Sequence, residues 1–225
     1  NDAAENELTW IQKDKLYGRG HHGHNVHYLS TSHSFAGNYE EAIKAAKHLL
    51  EFKENPREAS QIDGFYNVYR QGWFAALRAL VQAEKWDEIL AGQVLPAYEK
   101  PREKAWYAWA RGLAFAAKGD AKAAAAEAKS MDAAMKEFRQ KVGRGATEEL
   151  LTARLELDGH VLAAKGKNKR AITTLERAMD KDRSLDYTEP PYYPRPVALA
   201  VARLALKMNQ PDRAKRAFEI ALEQF

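Results

Sequence analysis

The chain has 225 residues, 45% of them hydrophobic and 29% charged, and 35 basic against 31 acidic side chains leave a net charge of +4. That composition supports a sizeable core, and so slight and scattered a positive surplus argues against nucleic acid as a partner. Cysteine is absent, which excludes a disulfide framework, thiol catalysis, cysteine zinc sites and iron–sulfur clusters, and no run of about 18 apolar residues offers a membrane span.

Residues 1–20 read as an N-terminal helix or the remnant of a preceding repeat, with Leu8, Trp10 and Ile11 turned inward as a cap. Helix–turn–helix units follow near 23–56, 66–100, 105–140, 148–182 and 195–225, in one domain spanning 1–225. Apolar residues recur three and four apart in their first halves, as in Trp73, Leu77, Leu80 and Val81. The second halves are shorter amphipathic runs, such as Ala42, Ile43, Ala46, Leu49 and Leu50. Almost nothing alternates with period two, so the expected fold class is all-α. Loops are expected at 53–61, 96–101, 141–146 and 182–196, the last stiffened by Pro190, Pro191, Pro194 and Pro196. The Ala-rich run from Ala121 to Ala134 is a strong helix former. The chain opens on Asn1, so the native start is expected upstream, and a cytoplasmic or a periplasmic location stays open.

One phrase recurs between the two halves of each unit. It reads Gly37-Asn38-Tyr39-Glu40-Glu41-Ala42, then Lys85-Trp86-Asp87-Glu88-Ile89, Gly119-Asp120-Ala121-Lys122-Ala123-Ala124, Gly166-Lys167-Asn168-Lys169-Arg170-Ala171 and Asn209-Gln210-Pro211-Asp212-Arg213-Ala214. The anchors Ala42, Ile89, Ala124, Ala171 and Ala214 are spaced by 47, 35, 47 and 43 residues. The Gly or Asn suits a left-handed helix end, and Asp87, Asp120 and Asp212 suit helix starts.

This phrase resembles the tetratricopeptide repeat, whose unit is roughly 34 residues. With the anchors at its twentieth position, the eighth falls on Ser30, Leu77, Gly112, Gly159 and Ala202, two of which are the glycine the repeat uses. A narrower resemblance is to a bacterial family of tetratricopeptide proteins. It rests on His24-Asn25-Val26-His27-Tyr28-Leu29, on Trp106-Tyr107-Ala108-Trp109-Ala110-Arg111-Gly112, and on Glu189-Pro190-Pro191 followed by Tyr192 and Tyr193. Gly23 and the Arg195-Pro196 pair depart from that family's pattern. The resemblance implies a right-handed α-α superhelix of four to five repeats whose first helices line a concave groove.

Laid on this chain, the groove positions include Phe74, Arg78, Trp106, Trp109, Glu156, His160 and Arg203. Aromatics would take apolar side chains of a peptide, and guanidinium groups would take its carboxylates. Trp106 and Trp109, at i and i+3, read more often as core than as a ligand platform. The leading expectation is therefore a non-enzymatic scaffold holding a peptide or partner protein.

A second expectation, of a different class, is a small-ligand or metal-binding module. His24 and His27 share a helix face and offer two imidazoles to a divalent transition metal, with Tyr17, Tyr28, Tyr66 or Glu189 to complete the shell. In this reading His21 and His22 precede the helix, His33 is structural and His48 lies on the surface of a second helix. A third expectation is a hydrolase or isomerase using a histidine pair with Glu189.

Overall fold

The computed structural model describes residues 2–14, 19–52, 54, 67–143, 148–186 and 188–224. Among them every regular element is helical. The helices are α1 (Asp2–Asp14), α2 (Arg19–Phe35), α3 (Tyr39–Leu50), α4 (Val68–Gln82), α5 (Trp86–Ala91), α6 (Pro101–Ala117), α7 (Ala121–Val142), α8 (Glu148–Ala164), α9 (Asn168–Arg183), α10 (Val197–Lys207) and α11 (Pro211–Glu223). The expected loops at 53–61 and 141–146 fall largely outside the described residues, as do Tyr17 and Tyr66.

The recurring phrase marks five sharp turns. Gly37, Glu84, Gly119, Gly166 and Asn209 all have left-handed backbone, with φ of 77, 53, 81, 73 and 56°. Each stands five residues before its anchor, and all five anchors are buried. The left-handed residue ends one helix, and the anchor seats the next against it. Asp120 is a true N-cap: its carboxylate accepts from the Ala123 amide at 2.9 Å. Asp87 and Asp212 instead sit inside the first turn, where their charge favours the helix start.

The chain divides into two compact units, Asn1–Glu88 with Gly92–Pro96, and Ile89–Ala91 with Ala97–Phe225. In the first, α1 lies on α2, α2 pairs with α3, and α4 packs on both. Ser30 ties that pair by donating to the Ala42 carbonyl at 2.8 Å. On α1, Leu8 and Ile11 turn inward with Ala4, but Trp10 is exposed. Trp10 lies off the i, i+3, i+4 stripe that α1 presents to α2, which is why it leaves the expected cap. Gly72 lets α4 approach α3, because a Cβ there would stand 2.6 Å from Leu49 Cβ.

In the second unit α6 pairs with α7, α8 with α9, and α10 with α11. α8 also packs on α6 and α7, and α10 on α9. Gly112 and Gly159 sit where two helices approach closely. A Cβ would lie 2.6 Å from Leu157 at the first and 2.5 Å from Leu175 at the second.

Candidate functional site

The first unit sets the expected metal pair apart. His24 is exposed and stacks on Tyr28, with ring centroids 4.5 Å apart. His27 is turned to α4, where its Nε2 meets Arg78 Nη1 at 3.2 Å. A guanidinium only donates, so this nitrogen accepts and its lone pair is engaged. Arg78 is buried and also donates to Thr31 Oγ1 at 3.1 Å. Burial, then the charges of Arg78 and His24, depress the His27 pKa to about 3, and burial lowers Arg78 to about 10. Helix α4 thus places Arg78 against α2. Phe74 is half-buried and packs edge-on against Trp73 at 5.2 Å.

In the second unit the tryptophans resolve as core. Trp106 and Trp109 are 1% and 0% exposed. They form an edge-to-face pair at 5.2 Å, and the Tyr193 ring covers both at 5.8 and 5.9 Å. Tyr193 comes from the Pro-rich connector between α9 and α10. Its hydroxyl donates to Glu156 Oε2 at 2.7 Å, and Trp109 Nε1 donates to the same oxygen at 3.1 Å. Arg195, two residues on, donates to Glu156 Oε1 from Nε at 3.1 Å and from Nη2 at 2.8 Å. Glu156 has no exposed surface.

Burial pushes the Glu156 carboxyl up, but the Arg195 charge and then His160 and Tyr193 outweigh it and hold the pKa down to about 2. His160 Nε2 accepts from Arg195 Nη2 at 3.2 Å, and its 3.7 Å approach to Glu156 Oε1 is beyond hydrogen-bond reach. Burial and the Glu156 charge in turn drive the Tyr193 hydroxyl well above its ordinary value. Each partner holds the others in one protonation state. Such a carboxylate is a fastening rather than a base poised to titrate.

The connector therefore covers Trp106, Trp109 and Glu156, three of the positions that the resemblance assigns to a ligand. Sequence reasoning named Trp106, Trp109, Glu156 and His160 but missed Tyr193 and Arg195, which complete the cluster. The signal available was the Tyr192-Tyr193-Pro194-Arg195 run, apolar and cationic side chains on a stiff segment that needs a place to dock. Of the expected groove residues, His160 remains half-buried at the edge and Arg203 is exposed on α10. Beside Arg203, Leu206 is 54% exposed and Lys207 is exposed too.

Two further expectations change. His21 and His22 both lie inside α2, so neither precedes the helix, and His22 is 2% exposed. His48 is half-buried against it rather than free on the surface. Glu189 is exposed in the connector. Among the described residues, no group of three or more His, Cys, Asp or Glu side chains is placed to hold a metal ion, and no helix is long and apolar enough to cross a membrane. Compared with protein-family models, with curated proteins and with solved structures, the chain matches none.

Proposed function

We propose that this chain is a non-enzymatic helical-repeat scaffold that holds a peptide or partner protein. The reading rests on paired helices and on one observation above the rest. Along α10, Arg203, Leu206 and Lys207 are exposed and Leu199 is half-buried, with Leu206 54% exposed between two cations. Leu199 and Arg203, Arg203 and Leu206, and Arg203 and Lys207 are four, three and four apart and share a helix face. An exposed leucine flanked by guanidinium and ammonium groups suits a segment with one apolar anchor and neighbouring carboxylates. The Glu156 fastening supports the same reading, because it holds the connector ahead of α10 in one arrangement and costs a ligand little ordering entropy.

Selection of random displayed peptides on the protein tests this. Recovered peptides are expected to carry an aliphatic or aromatic residue beside Asp or Glu. Leu206→Asp and Arg203→Glu should each weaken a selected peptide at least tenfold. Failure to select a peptide, or equal binding by both variants, would reject the α10 stripe as the site.

A further inference from the structure

The two histidines that the sequence reading set aside stand together. His22 on α2 and His48 on α3 point their Nε2 atoms at each other across 3.0 Å. Their rings are perpendicular, with centroids 5.2 Å apart, and Phe52 packs on both at 5.8 and 5.3 Å. Neither is brought together by local spacing, since 26 residues separate them. With no metal, one Nε2 carries a proton and donates to the other.

The same geometry suits a cation. Metal–imidazole bonds are about 2.0–2.1 Å. Two nitrogens 3.0 Å apart then subtend about 91–97° at a shared ion placed at that bond length. That is the angle between neighbouring ligands in a square-planar or octahedral shell, and it is narrower than a tetrahedral one. Imidazole with such an angle favours Cu(II) or Ni(II) over Zn(II).

The outer nitrogens have acceptors nearby without being hydrogen-bonded to them. A metal-bound histidine holds its remaining proton on Nδ1 and offers it to a carboxylate or carbonyl. His48 Nδ1 lies 3.9 Å from Glu51 Oε2, which is beyond hydrogen-bond reach, so a rotation of the exposed Glu51 side chain is needed to receive that proton. His22 Nδ1 is buried without a hydrogen bond among the described residues, and the Ala4 carbonyl acts on the same ring. Moving the shared proton to Nδ1 of the donor ring frees both Nε2 lone pairs, so neutral imidazoles bind the ion without net proton release. His48 keeps 37% of its side chain exposed, which leaves a side for entry and for water ligands.

We propose that His22 and His48 form a two-imidazole site for a square-planar or octahedral divalent ion, Cu(II) or Ni(II), bridging α2 and α3. The site lies within the first unit and is independent of the α10 reading.

The test is titration with Cu(II) chloride against glycine as competitor, with electron paramagnetic resonance of the one-equivalent complex. The expected result is one ion per chain with two imidazole nitrogens in its plane. His48→Ala should weaken binding at least tenfold, and His21→Ala/His24→Ala should leave it unchanged. The pulsed spectrum of the wild-type protein counts bound imidazoles even where a variant fails to fold. Two results would overturn the site: fewer than two imidazoles on the bound ion, or loss of binding in His21→Ala/His24→Ala with His48→Ala unaffected. No copper held against glycine would overturn it equally.

Discussion

Tyr193 donates its hydroxyl to Glu156 Oε2 at 2.7 Å, and that one bond joins residues 37 apart in the chain. It sits at the centre of a buried cluster in which every acceptor site of the carboxylate is used by Arg195, Trp109 or Tyr193. Its energetics follow from burial. Two charges removed from water attract strongly but have lost their hydration, so removing one partner is far worse than removing both.

Glu156→Gln is accordingly expected to destabilise the second unit by about 3–5 kcal/mol, because Arg195 is left buried without its counter-charge. Glu156→Gln/Arg195→Met should recover much of that loss. Denaturant unfolding followed by tryptophan fluorescence measures both. The fastening is fully present above the ordinary carboxylate range and is lost as the pH falls toward about 2, the folded value.

Asp182 runs the other way. It accepts from the Val197 amide at 3.1 Å, at the start of α10, and from Gln224 Nε2 at 3.2 Å. Burial raises its pKa from 3.8 to about 6, against those two donors, and the Glu156 charge adds to the rise. The folded state thus holds the proton more tightly than the unfolded one, and stability declines as the pH rises between those values. Asp182→Asn keeps an acceptor and removes the charge. It should stabilise the second unit by on the order of 2 kcal/mol at pH 7.5 and by nearly nothing below pH 4. Thermal unfolding at the two pH values reads the difference.

His27 makes the first unit acid-sensitive. Its pKa falls from 6.5 to about 3 through burial and the charges of Arg78 and His24. The unfolded chain takes up a proton below the ordinary value that the folded chain refuses, so stability drops as the pH falls between these limits. His22, whose pKa is lowered by burial and by His48, adds in the same direction. The His27 ring should show no titration by NMR above pH 4, and His27→Gln, which retains an acceptor for Arg78, should flatten the fall in melting temperature.

The close-approach glycines differ in cost. At Gly72 an added Cβ meets the Leu49 Cβ at 2.6 Å and backbone atoms at 3.0 Å, neither of which yields easily. At Gly112 it meets the two Leu157 methyls, and at Gly159 the Leu175 branch carbon Cγ and one methyl, side-chain atoms that a rotamer change can move. Gly72→Ala should cost roughly 2–3 kcal/mol, and Gly112→Ala or Gly159→Ala about 1 kcal/mol after the gain in helix propensity. Urea midpoints of the three variants give the order.

Glu84 stands alone among the left-handed turn residues in being neither glycine nor asparagine. Glu84→Gly removes a steric penalty of about 1–2 kcal/mol and adds back some unfolded-state entropy. A net gain of about 0.5–1 kcal/mol is expected, visible as a rise in melting temperature.

The turns show how far local sequence reaches. Gly37, Gly119, Gly166 and Asn209 are visible in the bare chain as helix ends, and each fixes where a helix stops and where the next begins. Glu84 has no such signature, and the structure alone reveals its left-handed backbone. Helical class, pairing of neighbouring helices and the anchors follow from periodicity within a few residues, because helix bonds and caps are local. Which first-helix side chains stay reachable does not follow. Trp106, Trp109 and Glu156 are covered by Tyr193 and Arg195, whose contacts with Glu156 span 37 and 39 residues. His24 and His27 share a helix face as their spacing says, yet Arg78, from a helix 51 residues on, takes the His27 nitrogen. His22 finds His48 by the same kind of distant packing. Local spacing sets which face a side chain is on; only the packed fold sets what occupies the space in front of it, because that partner arrives from elsewhere in the chain.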